Sequence, residues 1–234
     1  MSPPAPAPAA GLTAPEFGSV AIVHDYLNQP GGAERVVLAM AGIWPDAPIY
    51  TSLYRADSTF PAFGAANVHI SGLHWLPIDR GFRNLFPLYP AAFRSFGPLD
   101  HDVVISSSSG WAHMVHTAPQ TFHAVYCHAP ARWLYESMHL ADVRSRSLRP
   151  FKSLLRGYDR HAARRAHLYI ANSAEVAGRI RDYYGISDVC FSLPAVLNSR
   201  GVDRVLRIEL DEPEVTGLRR SAEVLKSTIA RIGF

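Results

Sequence analysis

Two glycines between an apolar run and a helical pattern carry the strongest chemical signal in this sequence. Val20, Ala21, Ile22 and Val23 form a short, mostly β-branched run of the kind a buried parallel strand needs. His24, Asp25, Tyr26 and Asn28 follow at once, then Pro30-Gly31-Gly32-Ala33, then a helical pattern from Glu34 to Ala41. Glycines carry no Cβ, so backbone N–H groups there can approach a ligand closely. The helix that follows points its positive end at the same spot. A phosphate, a pyrophosphate or the oxygens of a sugar suit such a turn. A tight βα turn with no ligand explains the same residues, because short glycine motifs are weak signals.

Polar groups recur after other apolar runs. Asp102–Ser106 reads as a strand closing in Ser106–Ser109 and Gly110, and Thr121–His128 reads as a strand closing in His128-Ala129-Pro130. Leu168–Ala171 is followed by Asn172-Ser173 and a helix over Ala174–Tyr184; either residue serves as its N-cap without any ligand. Ile49–Tyr54 and Val68–Ser71 are further strand candidates. Strands alternating with helices predict an α/β, doubly wound parallel sheet, whose ligands bind outside the carboxyl ends of the strands. His24, Asp25, Ser106–Ser109, His128, Asn172 and Ser173 all fall at those ends. Their convergence is stronger than any one motif.

Two stretches are open to more than one use. Residues 74–96 interleave aromatics and leucines with Arg80, Arg83 and Arg94. They read either as a helix–loop–helix on the sheet or as an interfacial segment whose arginines meet anionic lipid. Residues 144–166 carry seven arginines, with an apolar stripe of Leu148, Phe151, Leu154, Leu155 and Tyr158. That stripe favours a solvated helix face beside an anionic-ligand cleft over a nucleic-acid site, so no nucleic-acid partner is expected.

Composition bounds these readings. The chain has 234 residues, 48% hydrophobic and 18% charged, enough for a real core in one large or two modest domains. A formal charge of +3 is too small to argue for nucleic acid. Cys127 and Cys190 each sit in strand-like runs and read as buried free thiols in a reducing compartment. No apolar run reaches the roughly 18–20 residues of a membrane span. Residues 1–18 read as a disordered Pro/Ala-rich tail without signal-peptide features. The expected location is the cytoplasm, extended to peripheral contact with the inner face of the plasma membrane through 74–96. Ser106–Ser109 is not a GxSxG elbow, and the histidines at 113, 116, 123 and 128 are too loosely spaced to argue for a metal.

The stretches VHDYLNQPGGAERV, PDAPIYTSLY, DVVISSSSGWA, YCHAPARWLYE, YDRHAARRAHLYIANS and VAGRIRDYYG, taken in order, resemble the N-terminal half of family 4 glycosyltransferases. Those enzymes are retaining, nucleotide-sugar-dependent and of the GT-B fold. The resemblance covers about Val20 to Gly185 and implies a Rossmann-like acceptor domain facing a donor domain. It implies no cofactor beyond the nucleotide-sugar donor, and a glycan or lipid-linked acceptor as partner. Tyr126 to Arg132 fits the family's Tyr-Cys-His-x-Pro-x-Arg pattern. His128 is then the candidate catalytic residue, orienting an acceptor hydroxyl or stabilising developing charge. Asp25, Gly31, Gly32, Glu34, Arg132, Asn172 and Ser173 become the acceptor- and phosphate-binding set, with Arg132 able to hold a phosphate bidentately.

From Asp188 to Phe234 the sequence instead resembles the C-terminal end of lactate and malate dehydrogenases, through SLPAVL, the Gly-Val turn, VLRIEL and SAEVLK. It reads as a β-hairpin turning at Asn198–Gly201 and a helix from about Pro213 to Ile232. The nucleotide fingerprint and the active-site segments of that family are missing, so an oxidoreductase is the weaker alternative. Three segments are therefore expected: the tail over 1–18, the glycosyltransferase-like domain over 19–186, and the dehydrogenase-like element over 187–234. On this reading the chain is a chimera holding an acceptor half without its donor domain. A non-catalytic binding module that partners a separate donor domain is the other alternative.

Overall fold

The computed structural model describes residues 18–75, 88–136, 149–191, 195–198, 201–205 and Thr216. The apolar runs become seven parallel strands: β1 (Val20–His24), β2 (Ile49–Thr51), β3 (Val68–Ile70), β4 (Val103–Ser108), β5 (Phe122–Cys127), β6 (Leu168–Ala171) and β7 (Val189–Phe191). They form one sheet in the order β3-β2-β1-β4-β5-β6-β7. The chain winds outward from β1 to β3, returns to β4, and winds outward the other way to β7. Strand order therefore reverses between β1 and β4, the place where doubly wound sheets bind ligands.

Every residue of β1 is buried, as a central strand covered on both faces must be. One face packs Val20, Ile22, Ile49 and Val103 against Val37 of α1 (Gly32–Ile43). The other packs Ala21, Val23 and Val104 against α2 (Tyr89–Arg94), Leu134 of α3 (Arg132–Tyr135), and Leu155 and Ala162 of α4 (Arg149–Ala163). Further along that face, Val125, Cys127, Tyr169 and Ala171 pack against Val176, Ala177 and Ile180 of α5 (Ala174–Tyr184). This is the α/β, Rossmann-like, doubly wound architecture that the alternating pattern predicts. Helix α5 has the expected bounds: Ser173 Oγ accepts the Val176 N–H at 3.2 Å, and Gly185 ends the helix at φ +70°, a left-handed turn that suits glycine.

Strand β7 lies beyond the expected boundary at 186 yet pairs with β6. A separate two-stranded antiparallel sheet, β8 (Ala195–Asn198) with β9 (Gly201–Val205), is the hairpin expected at Asn198–Gly201. The helix expected from about 213 to 232 (Thr216 apart), the tail over 1–17 and most of the 74–96 segment lie outside the described residues.

Helix α4 departs from the sequence reading. Leu154, placed on the apolar stripe, is 70% exposed; the buried positions are Lys152, Leu155, Asp159, Ala162 and Ala163. The arginines do not simply face solvent beside a cleft. Arg156 Nε donates to Leu134 O at 2.6 Å, Arg160 Nε to Tyr183 O at 2.8 Å and Arg164 Nε to Tyr184 O at 3.3 Å. These guanidinium groups fasten α4 to α3 and α5 through carbonyl oxygens. Tyr135 of α3 stacks on Tyr183 with ring centroids 4.3 Å apart and planes 4° from parallel, and Arg156 and Arg160 lie over the Tyr135 ring.

Candidate functional site

The site grows from the register between β1 and β4. His24 lies beside Ser107 in that register, so the last residue of β1 meets the polar end of β4. His24 Nδ1 is 3.0 Å from the Ser107 carbonyl oxygen and 3.1 Å from Ser107 Oγ. The same hydroxyl is 2.9 Å from His128 Nε2, just past the end of β5. On its other side, His24 Nε2 is 4.0 Å from Glu34 Oε1, and both side chains are buried. Residues from β1, α1, β4 and the turn after β5 thus form one line, Glu34–His24–Ser107–His128, at the strand-order reversal.

Charge in this line is set by burial and neighbours. Burial, reinforced by His24 and opposed by Glu34, lowers the His128 pKa to about 4, so its imidazole is neutral at pH 7. Burial works against a charged Glu34, but hydrogen bonding and the positive field from His24 bring its carboxyl below the ordinary range. Glu34 also leans over the start of α1, where Gly31 is the N-cap in extended backbone.

Asp25, next in the chain after His24, is held by backbone amides. It is 1% exposed, and its carboxylate accepts N–H groups from Ser109, from Trp111 at 2.9 Å and from Ala112 at 2.6 Å. Burial raises its pKa, against the pull of His24 and the three amides. Asp25 thereby builds the turn after β4. Arg132 is exposed at the start of α3, Asn172 is exposed after β6, and Ser173 spends its hydroxyl on the α5 cap. Among the described residues, no hydrogen bond links these three to the His24–His128 line.

Sequence reasoning treated Ser106–Ser109 as a polar run closing a strand. The structure extends β4 through Ser108 and gives each strand serine a histidine. Ser106 Oγ lies 2.8 Å from His123 Nε2 and Ser108 Oγ 3.3 Å from His113 Nδ1, flanking the Ser107–His128 contact. Burial drives His123 to a pKa of about 3, so it is a neutral core group. The alternation Val103, Ile105, Ser107 beside Ile22 and His24 was the available signal, readable once β1 and β4 are known to be neighbours.

The two glycines are not equivalent. A Cβ at Gly31 would collide with Glu34 Oε2, whereas one at Gly32 would meet nothing within 4 Å. Gly31→Ala is expected to displace Glu34 from His24 and cost about 1–2 kcal/mol, the scale of overpacking. Gly32→Ala should stay within about 0.5 kcal/mol of wild type. Urea unfolding of both variants checks the contrast.

The chain is a doubly wound α/β protein with buried titratable groups at its strand-order reversal, the place where such sheets bind ligands. The chain belongs to glycosyltransferase family 4: that family's model, described as Glycosyltransferase Family 4, matches residues 30–192, more than two thirds of the sequence. A second model, the lactate/malate dehydrogenase alpha/beta C-terminal domain, matches residues 163–233. The curated relatives share this C-terminal region. An L-lactate dehydrogenase of Bifidobacterium animalis subsp. lactis is 42% identical over 59 residues, 25% of this chain and 18% of that protein. An L-lactate dehydrogenase of Thermus aquaticus is 46% identical over 50 residues, 21% of this chain and 16% of its own. A malate dehydrogenase of Roseiflexus castenholzii is 43% identical over 49 residues, 21% and 16% respectively. The chain therefore spans less than a fifth of the length of these relatives.

Proposed function

We propose that this chain is the acceptor-binding half of a retaining, nucleotide-sugar-dependent glycosyltransferase. With a donor-binding domain opposite, it serves transfer of a sugar onto a hydroxyl of a glycan or lipid-linked acceptor. The observation that carries this reading is the line Glu34–His24–Ser107–His128 at the strand-order reversal, beside the glycine start of α1, in a chain of glycosyltransferase family 4. In this reading the amides of Gly31 and Gly32 meet phosphate or sugar oxygens. His128 contacts the reacting hydroxyl, and the exposed Arg132 holds a phosphate. Asn172 and Ser173 border the mouth, and Asp25 supports its floor.

Peripheral membrane contact through 74–96 belongs to the same proposal. Its described ends carry Trp75 at 81% exposure and Leu88 at 44%. No helix among the described residues is long and apolar enough to cross a membrane. Acceptors are accordingly best offered both free and in anionic vesicles.

Titration with a panel of glycans and lipid-phosphate acceptors should give saturable binding. His128→Ala and Arg132→Glu should each weaken it about tenfold while circular dichroism stays unchanged, the scale of one lost charge-assisted contact. No binding anywhere in the panel, or equal binding by both variants, would overturn the reading. Addition of nucleotide sugars then shows whether the chain turns over by itself. The match of 163–233 to a dehydrogenase C-terminal domain favours one competing reading, an oxidoreductase. An NAD titration separates the two: binding would support the dehydrogenase, and its absence is expected.

A further inference from the structure

The hydrogen bonds around Ser107 fix the direction of the protons between His24 and His128. The Ser107 carbonyl oxygen can only accept, so His24 Nδ1, 3.0 Å away, carries a proton and donates it. That holds whether His24 is neutral or cationic. Ser107 Oγ, 3.1 Å from the same nitrogen, receives part of this N–H. Ser107 is fully buried, so its hydroxyl proton needs an acceptor. His128 Nε2 at 2.9 Å can supply one only if it is unprotonated. His128 is a neutral imidazole at pH 7, and a neutral ring carries one proton. That proton is then on Nδ1, the nitrogen turned away from Ser107.

We propose that His24 and Ser107 are positioning residues that lock His128 as its Nδ1–H tautomer, so that His128 presents a hydrogen-bond donor and not a free lone pair to its ligand. Glu34 closes the line at the other end. His24 Nε2 lies 4.0 Å from Glu34 Oε1 and both side chains are buried, so the imidazole and the carboxyl face each other in a dry part of the line. The proton on His24 Nδ1 is set on the other side of the ring, by the Ser107 carbonyl, and does not depend on this contact. The chemical consequence is specific. A lone-pair base would draw a proton from a hydroxyl, whereas an Nδ1–H binds an oxygen already rich in electrons, such as a phosphate or a developing alkoxide. Only the identity of that oxygen rests on the glycosyltransferase reading; the tautomer does not.

The test is a long-range proton–nitrogen correlation spectrum of the ligand-free, histidine-labelled full chain at pH 7, with His128 assigned from the His128→Gln spectrum. The expected result is a pyrrole-like Nδ1 and a pyridine-like Nε2 at His128. Ser107→Ala should shift His128 toward the Nε2–H pattern that free imidazole side chains favour, and Ser107→Thr should keep the wild-type pattern. An Nε2–H His128 in the wild type would overturn the proposal, as would an unchanged tautomer in folded Ser107→Ala. If Ser107→Ala does not fold, the wild-type and Ser107→Thr spectra still decide: both Nδ1–H supports the lock, and either one Nε2–H refutes it. Because no ligand is present, a failure here is separate from a failure of acceptor binding.

Discussion

Asp25→Ala should lose about 3–5 kcal/mol of folding stability, the largest effect expected of any single side-chain truncation at this site. The reason is the number of groups that depend on one carboxylate. Ser109, Trp111 and Ala112 direct their N–H groups at it, the last two in a region closed to water. Truncation leaves two buried donors and one part-buried donor without an acceptor, and each buried one costs about 1–3 kcal/mol. Asp25→Asn should fall between Ala and wild type. Its carbonyl oxygen can serve Trp111 and Ala112, but its amide then sets a donor against Ser109 N–H. Urea unfolding at pH 7 measures both, with an unchanged m-value as the sign that only stability moved. A loss below about 1 kcal/mol in Asp25→Ala would show that the turn after β4 finds other acceptors.

Asp159→Ala should cost a similar amount, about 3–5 kcal/mol, for a different reason. Asp159 on α4 is fully buried, with Oδ1 3.0 Å from His113 Nε2 and Oδ2 accepting Tyr135 O–H at 2.7 Å. It joins α4 to α3 and to the 3₁₀ turn at Ala112–Met114. Removing it strands a buried imidazole and a phenol, whose pKa burial already holds above its ordinary value with Asp159 adding to the effect. The double variant His113→Phe with Asp159→Leu should recover part of the loss, because it removes the imidazole together with its carboxylate, while Tyr135 O–H still lacks its acceptor. A double-mutant cycle by urea unfolding checks the coupling. Simple additivity would refute the pair as a unit.

The strands and α5 were legible because their signals are local. Short apolar runs gave β1, β4 and β6 to within two residues, and Ser173 with Gly185 marked both ends of α5. Helix α1 starts at Gly32, ahead of the expected Glu34, because Gly31 in extended backbone already serves as the N-cap. The site was legible as a set of strand ends but not as a network. That His24 meets Ser107, and Ser107 meets His128, depends on which strands are neighbours and in what register, information no single segment holds. Helix α4 misled for a related reason. Leu154 fits a helical stripe as well as Leu155 does, but the neighbours favoured the face carrying Lys152 and Asp159, whose charges find partners there. Asp25 reads as polar and at a strand end; its three amide contacts come from residues more than eighty positions away, which no local pattern shows.

The stacked rings of Tyr135 and Tyr183 set how this mouth can adapt. The seven-residue passage from His128 to Leu134 is tethered at its front by a serine and at its rear by an aromatic sandwich under two guanidinium groups. A passage gripped at both ends has little freedom to swing as a flap. Changes of ligand preference across relatives should therefore come by exchanging side chains within it that are not buried, Ala129 and Arg132 foremost, while its path stays the same.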